Sequence, residues 1–163
     1  MPDRIFLDKQ TPTAFKALTS TATEIRAKAR EIGLDRVLME LVNVRASQLN
    51  GCAFCLDRHT QLALDAGDTA QRLGVLPAWR ETDLFSDKER AALELTEAVT
   101  LVADQHPDDA TLARVRTVLS DDEASVVTWA AITINAFNRV SILSGHPVRP
   151  RRSAPASDPS PSA

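Results

Sequence analysis

Two cysteines and one histidine are the most reactive side chains that stand close together in this sequence. Two residues separate Cys52 from Cys55, and three residues separate Cys55 from His59. In a helix each residue turns by about 100°, so Cys55 would lie about 60° and His59 about 20° from Cys52 around the axis. Two thiols and an imidazole on one helical face predict a chemical site.

The residues just before Cys52 predict that a helix starts there. Asn50 and Gly51 are typical of a helix end, and we expect the next helix to run from about Cys52 to Ala66. A helix start offers free backbone N–H groups and the positive end of the helix dipole. This environment can lower a cysteine pKa from about 8.5 to roughly 3.5–7.5, which favours a reactive thiolate.

Glu40 is the fourth candidate side chain. It lies on a predicted helix that begins at Asp35, an acidic residue suited to the N-cap. The connection to the cysteine helix is short and antiparallel, so facing positions of the two helices come together. We therefore expect Glu40 to approach Cys52, Cys55 or His59.

The remaining elements also have helical periodicity, which predicts an all-α fold. The sequences Ser-Asp-Lys-Glu from Ser86 and Ser-Asp-Asp-Glu from Ser120 are capping boxes that predict two helix starts. The helix after Ser120 is the most apolar and is expected at the centre of the core. We predict helices over residues 13–32, 35–49, 52–66, 69–73, 86–99, 108–119 and 120–142, with an irregular link from Pro77 to Phe85.

The chain is divided into three predicted parts. Residues 1–34 form an N-terminal helical segment, whose expected buried positions are Ala14, Leu18, Ile25, Ala29 and Ile32. Residues 35–148 form the core, and residues 149–163 form a disordered tail because they are rich in Pro, Ser and Ala. His106 and His146 stand beside prolines in connections, where we expect them to be exposed.

Composition and charge exclude several classes of function. The net charge is −3 and the pI about 5.6, so no basic field favours a nucleic-acid partner. The first residues lack the apolar run of a signal peptide, and no stretch is expected to reach the length of a transmembrane helix. We therefore expect a cytoplasmic protein without a membrane partner. In a reducing compartment a close cysteine pair favours redox or metal chemistry over a structural disulfide.

Two alternatives to thiol chemistry remain open. The cysteines could be buried small apolar residues, since free cysteine is often buried. Cys52, Cys55, His59 and Glu40 could instead supply four zinc ligands, but structural zinc usually draws on a second cysteine pair, which this sequence lacks. Thiol chemistry without a metal or cofactor is the favoured interpretation.

Several other residues are interpreted as structural. Arg45 and Gln48 fall within the apolar face of the Glu40 helix, where an unpaired charge is costly, so they must find polar partners. Anchoring the helix is favoured over substrate contact for both. We interpret Trp79 as a packing residue, and Asn138 and Arg139 as residues that brace contacts between helices.

Glu40, eleven intervening residues, Cys52-Ala53-Phe54-Cys55 and His59 together resemble the alkylhydroperoxidase AhpD-like proteins within the carboxymuconolactone decarboxylase-like superfamily. The resemblance extends to LPAWRE at 76–81, to residues 85–100 and to INAFNR at 134–139. It implies an all-helical bundle with the C-x-x-C at the start of a central helix, and a homo-oligomer.

The resemblance also implies a role for each candidate residue. Cys55 would be the peroxidatic thiolate that is oxidised to sulfenic acid, and Cys52 the resolving thiol that closes a Cys52–Cys55 disulfide. His59 and Glu40 would form the proton relay. The implied activity is thiol-dependent reduction of hydrogen peroxide or organic hydroperoxides, and a dithiol donor such as a lipoylated or thioredoxin-like protein would reduce the disulfide.

The sequence departs from the characterised enzyme of this family at Phe54, where that enzyme has a histidine. One member of its proton relay is therefore missing. The muconolactone decarboxylases of the superfamily lack the cysteine pair, so the pair favours thiol chemistry over decarboxylation. The alternatives are a thiol–disulfide oxidoreductase and a non-catalytic redox-sensing or zinc-binding module.

Overall fold

The computed structural model describes residues 4–151, which form helices and no strands. The all-α prediction is confirmed. A short 3₁₀ helix, Leu76–Glu81, follows the fifth α-helix. The α-helices are α1 (Leu7–Gln10), α2 (Pro12–Glu31), α3 (Arg36–Asn50), α4 (Ala53–Asp65), α5 (Ala70–Val75), α6 (Asp87–Thr100), α7 (Asp109–Val118) and α8 (Asp121–Ser144).

The predicted helix starts are set by side-chain caps. Asp35 accepts the backbone N–H of Val37 at the start of α3. Both capping boxes form, with the Ser86 and Ser120 hydroxyls accepting from the third residue of α6 and α8. Such caps contribute about 1 kcal/mol each. The local sequence therefore fixes where these helices begin.

Helices α3, α6 and α8 pack together at the centre of the fold. Their apolar side chains form the main core, with contributions from Ala29 of α2 and Val115 of α7. A second buried cluster includes Leu41, Phe85 and two residues of the 3₁₀ helix, Leu76 and Trp79. A third, smaller cluster surrounds the two cysteines and includes Ala46 and Ile134. The cysteines thus lie inside the protein.

Helix α2 is less buried than its sequence predicts. Of its five expected core positions only Ala29 is buried, while Leu18, Ile25 and Ile32 are partly buried and Ala14 is exposed. The reason is its position at the edge of the bundle, where α2 packs against α8 and the short α1. An apolar stripe indicates which side can be buried, but the neighbouring helices decide how much is covered.

The link after α5 is also more regular than expected. The segment predicted to be irregular from Pro77 onward begins within the 3₁₀ helix, which is interrupted at Ala78. The short helix predicted over 69–73 runs to Val75, with Thr69 as its N-cap. The proline at the second position of the 3₁₀ helix suits a helix start because it needs no N–H donor there.

Helix α8 is long and apolar enough to pass for a membrane span by length and composition, so the expectation that no stretch reaches this length is wrong. Half of its most apolar stretch is buried inside the protein. Val127 and Ala131 are fully covered there by other helices. The core helix of a bundle meets the same criteria, because its buried side must be apolar.

The predicted tail lies mostly outside the described residues, which end at Arg151. Arg151 itself folds back onto α4, where its guanidinium lies 2.9 Å from the Asp57 carboxylate. The same group donates to the Asp57 backbone oxygen. The division at residues 34 and 148 stays a prediction.

Candidate thiol site

The cysteine pair lies where α3 turns into α4. Gly51 ends α3 in the left-handed conformation, with φ of 64°. The Cys52 N–H then donates to the Ser47 carbonyl over 3.0 Å. Cys52 is the N-cap of α4 and not its first helical residue, and its Sγ accepts the backbone N–H of Cys55 at 3.4 Å. The Cys52 sulfur therefore accepts a hydrogen bond from the backbone at the start of α4.

The two sulfurs are close and shielded from solvent. Cys52 and Cys55 are 1% and 3% exposed, and their Sγ atoms lie 2.6 Å apart. A disulfide needs about 2.05 Å between sulfurs. Little movement would join them, and a reagent from solvent must first reach a buried pair.

His59 and Glu40 meet on the Cys55 side of the pair. His59 stands one helical turn after Cys55 on α4, and its Nδ1 lies 2.8 Å from Glu40 Oε2. Asn43 donates to the same carboxylate oxygen at 3.3 Å. The expected approach of Glu40 to the cysteine helix is confirmed, and its partner there is His59.

The contact with Glu40 determines which ring nitrogen of His59 remains free. The side chains of His59 and Glu40 are 14% and 9% exposed, so solvent reaches only a small part of the pair. When Nδ1–H donates to the carboxylate, Nε2 is the nitrogen left to take or give a proton. Glu40 therefore fixes the orientation of the His59 ring.

Burial is the largest influence on the pKa of Cys52. Loss of solvent, followed by the hydrogen bond and charge of the Cys55 sulfur, raises the pKa of Cys52 from 9.0 to about 12. The Cys55 backbone N–H and the Asn138 amide act in the opposite direction. Cys52 is thus held as a neutral thiol around pH 7.

A network of buried amides lies on the other side of Cys52. Asn138 of α8 is fully buried, and its Nδ2 donates to Ser47 Oγ at 3.0 Å. Its Oδ1 accepts from Asn50 Nδ2 at 2.9 Å, and Asn50 also donates to Asn135 Oδ1. Asn138 braces α8 against α3, as the sequence predicted.

Sequence reasoning missed that Asn138 binds Ser47, whose carbonyl oxygen accepts the Cys52 N–H. A signal for it was present, because Asn135 and Asn138 stand one turn apart in the most apolar helix of the chain. Buried amides need hydrogen-bonding partners, so this pair had to face another polar group. The spacing could not identify which group it would be.

Arg45 and Gln48 have partners away from the cysteines. Arg45 Nε lies 2.8 Å from Glu97 Oε1, and Arg45 also donates to Gln48 Oε1. Trp79 Nε1 and Arg80 donate to the same Glu97 carboxylate. Although burial alone would raise it, these hydrogen bonds hold the pKa of Glu97 below its usual value. This group joins α3, α6 and the 3₁₀ helix, and Trp79 packs within it.

Phe54, between the cysteines, contacts His146 at the end of α8, and His146 in turn contacts the N-terminal segment. Its ring meets His146 edge-on at 5.2 Å, and Phe6 stacks on the same imidazole at 5.9 Å. His146 Nε2 also lies 3.2 Å from the Asp8 carboxylate. The expectation of an exposed His146 is therefore wrong, because residues 4–10 fold over the end of α8, whereas His106 is exposed.

A groove of about 290 Å³ opens beside Phe54 on the surface of α4. Neither cysteine lines it. The lining residues are Phe54, Asp57, Arg58, Gln61, Leu62 and Arg151. Within residues 4–151 no group of three or more His, Cys, Asp or Glu side chains is arranged to hold a metal ion. The site consists of thiols, an imidazole–carboxylate pair and neutral amides.

Comparisons with known proteins point to one family. The family model named Carboxymuconolactone decarboxylase family matches residues 12–98. The uncharacterized protein YdfG of Bacillus subtilis (strain 168) is 39% identical over 117 residues, which are 72% of this chain and 80% of that protein. The uncharacterized protein YnjA of Escherichia coli (strain K12) is 37% identical over 82 residues, which are 50% of this chain and 44% of YnjA.

A crystal structure has the same fold. It is that of an Agrobacterium tumefaciens protein of unknown function, assigned as a candidate antioxidant defence protein AhpD. The TM-score is 0.81 and the identity 33%, over 90% of this chain and 99% of that one. The similarity therefore extends over nearly all of the described helices.

Proposed function

Because the chain is an AhpD-like member of the carboxymuconolactone decarboxylase family, we propose that it is a thiol-dependent peroxidase acting on hydrogen peroxide or organic hydroperoxides. The observation that carries this proposal is a buried pair of thiols next to a hydrogen-bonded imidazole–carboxylate pair. The Cys52 and Cys55 sulfurs lie 2.6 Å apart, and the His59–Glu40 pair begins one helical turn further along α4. The family also includes decarboxylases, but the thiol pair supports redox chemistry.

In the first step the Cys55 thiolate attacks the terminal oxygen of the hydroperoxide. An S–O bond forms, the O–O bond breaks, and the sulfur is oxidised to sulfenic acid while the peroxide is reduced. The departing alkoxide or hydroxide takes a proton from His59, which Glu40 orients. Cys55 is assigned this role because burial and its neighbour keep Cys52 protonated.

In the second step Cys52 resolves the sulfenic acid. The Cys52 sulfur attacks the Cys55 sulfur, the S–S bond forms, and the S–O bond breaks. The departing hydroxide and the proton released from Cys52 together make one water molecule. The short distance between the sulfurs supports this step, since the bond can form without unfolding the start of α4.

In the third step an external dithiol reduces the Cys52–Cys55 disulfide. Two electrons pass from the donor, whose own thiols become a disulfide, and both cysteines recover their protons. We propose a lipoylated or thioredoxin-like protein as this donor. Since both sulfurs are nearly inaccessible, the donor must meet a state in which the start of α4 has opened.

The test is peroxide consumption with an added dithiol donor. The wild type should turn over repeatedly, Cys55→Ser should be inactive, and Cys52→Ser should react once and retain sulfenic acid at Cys55. Thr21→Ala, at an exposed position on α2, is the control and should behave as the wild type. Comparable activity in all four proteins would refute the assignment.

A second candidate is a thiol–disulfide oxidoreductase that uses the same pair without attacking peroxide. Two observations favour it: Phe54 stands where the characterised peroxidase has a histidine, and the Cys52 sulfur accepts a backbone N–H at the helix start. Reduction of protein disulfides with negligible peroxide turnover would select this candidate. A redox sensor would cycle between dithiol and disulfide without turning over either substrate.

We also propose that the chain assembles with copies of itself. Trp129, Ile132 and Leu143 are 53%, 44% and 64% exposed. They share one side of α8, within about 60° around the helix axis. Exposed apolar side chains aligned in this way support an oligomer contact. Light scattering after size-exclusion chromatography should give more than one subunit, and Trp129→Glu should shift the mass toward the monomer.

A further inference from the structure

The N-terminal strap, residues 4–10, lies across the end of α8. Arg4 Nη1 donates to the Ile142 carbonyl at 2.8 Å, and the Leu7 N–H donates to Ser144 Oγ at 3.0 Å. Both acceptors belong to the last turn of α8. The strap is therefore held on the end of that helix by polar contacts from two of its residues.

Three aromatic side chains connect the strap to the cysteines. Phe6 stacks on the His146 ring at 5.9 Å between centroids, and His146 meets Phe54 edge-on at 5.2 Å. Phe54 is partly buried and packs against the cluster that contains both cysteines. His146 is held in the middle, because its Nδ1 lies 3.3 Å from Ser141 Oγ and its Nε2 lies 3.2 Å from the Asp8 carboxylate. The strap thus supports Phe54 through His146.

A second aromatic contact comes from the same end of the chain. Phe15, in the first turn of α2, meets Phe137 of α8 edge-on at 5.8 Å. Phe137 is also partly buried and packs against the cysteine cluster. Only Thr11 separates α1 from α2, so the strap continues directly into the helix that carries Phe15. Phe54 and Phe137 are therefore both contacted from the N-terminal end of the chain, one through His146 and one directly.

The strap can detach at low cost. Helix α1 has four residues, far fewer than an isolated helix needs for stability, and none of them is buried. Ile5, Phe6 and Leu7 are 65%, 38% and 36% exposed. Segments with few buried apolar contacts open locally while the rest of a protein stays folded. Within this region, the strap is therefore the part expected to open first.

We propose that the N-terminal strap controls access to the cysteine pair. While the strap lies on α8, His146 holds Phe54 in place and both sulfurs stay buried. When it detaches, Phe54 loses this support, and the start of α4 opens far enough for a bulky thiol reagent or dithiol to reach a sulfur. The motion makes and breaks no covalent bond. The identity of the dithiol as an electron donor rests on the proposed function, whereas the control of access does not.

The first experiment measures how fast the reduced full-length protein reacts with a bulky thiol reagent, a maleimide attached to a polyethylene glycol chain. The two cysteines are the only thiols in the chain, so labelling reports on this site alone. Phe6→Ala removes the stack on His146 and should speed labelling by about 2- to 10-fold, the range expected when one aromatic pair is lost. Asp8→Ala removes the contact with His146 Nε2 and should act in the same direction.

Two control variants separate local opening from general loss of stability. Gln10→Ala changes an exposed side chain on the same helix and should be labelled as the wild type is. Val115→Ala creates a cavity in the main core from α7 and should lower the free energy of unfolding with little effect on labelling. Chemical denaturation gives the stability of each variant. Equal acceleration in Val115→Ala and Phe6→Ala would overturn the proposal, because the thiols would then react through global unfolding.

The second experiment tests whether the strap and the start of α4 open together. The Cys55 N–H is bonded to Cys52 Sγ and the Leu56 N–H to the Cys52 carbonyl, so hydrogen exchange of these two amides reports on opening there. Phe6→Ala should speed exchange both in residues 4–10 and at these amides, and should leave α6 unchanged. Faster exchange confined to residues 4–10 would overturn the coupling between the strap and the cysteines.

Both experiments use neither peroxide nor an electron donor, so their outcomes are separate from those of the proposed function. If the wild type fails to consume peroxide, the peroxidase proposal falls, and the labelling rates still decide whether the strap controls access. Unchanged labelling in both Phe6→Ala and Asp8→Ala would overturn the role of the strap, even in a protein that consumes peroxide.

Discussion

The two sides of the cysteine pair are built from different chemistry. On the Cys55 side, His59 and Glu40 form a titratable pair that solvent partly reaches. On the Cys52 side, Asn138 and Ser47 are neutral and fully buried. The first side holds groups that can exchange protons with solvent, whereas these two side chains of the second side do not titrate.

This difference suits two steps with different needs. Peroxide cleavage produces an alkoxide or hydroxide that requires a proton at once, and an imidazole oriented by a carboxylate can supply it. In the proposed cycle, resolution needs only a brief charge on Cys52. Neutral side chains around this cysteine avoid burying a permanent ion, which would be costly in the interior. The comparison predicts that each side can be damaged separately.

The largest effect is expected from breaking the titratable side. His59→Phe removes the proposed proton carrier and should lower peroxide turnover by about 10²–10⁴-fold, the usual range for general acid–base catalysis. Asn43→Ala is the control, because it also removes a hydrogen bond to Glu40 but no titrating group. Turnover is measured under saturating dithiol donor. Equal losses in the two variants would show that the contact is only structural.

Damage to the neutral side should appear first in stability. Asn50→Ala leaves the Asn138 amide oxygen without its donor, whereas Asn135 Oδ1 keeps a hydrogen bond from Arg139. An unsatisfied buried acceptor costs about 1–3 kcal/mol, so the free energy of unfolding should fall by about this amount. Chemical denaturation measures the loss. An unfolding free energy within experimental error of the wild type would contradict the proposed importance of the network.

The burial of Cys52 predicts an alkaline loss of stability. Its folded pKa of about 12 exceeds the unfolded value of 9.0, so folding favours the protonated form. This contribution is complete below the unfolded pKa and is lost as pH rises through the folded pKa. Between these values the unfolding free energy should decrease by about 1.4 kcal/mol per pH unit from this group. Cys52→Ser should flatten that part of the profile, and an unchanged slope would argue against a buried neutral thiol.

The smallest effect is expected from adding a proton carrier. Phe54→His restores the residue that the characterised enzyme carries between its cysteines, and should raise peroxide turnover by a few-fold and broaden its pH profile. The variant also loses the Phe54 ring contact with His146. Phe54→Leu controls for that loss and should bring no gain. Identical rates in the two variants would show that the existing His59–Glu40 pair is sufficient.

Local signals in the sequence predicted the titratable side well. The cysteine spacing placed Cys55 and His59 on one helix, and the Asn50-Gly51 turn brought Glu40 back toward them. These relations depend on short stretches of chain whose geometry follows from helix periodicity and turn chemistry.

The neutral side could not be predicted in the same way. Asn138 and Ser47 are 91 residues apart, and their contact depends on how α8 packs against α3. The same limit explains why α2 is less buried than its apolar positions suggested and why His146 is covered by residues 4–10. Periodicity identifies the side of a helix that can be buried but not the residue it will meet.

The most direct test of the central claim is a count of free thiols before and after one equivalent of peroxide. The reduced chain has two cysteines, so the account predicts two reactive thiols under denaturing conditions. After the peroxide pulse both should be lost, and peptide mapping should find Cys52 joined to Cys55. Two thiols that survive the pulse would contradict a redox-active pair that responds to peroxide.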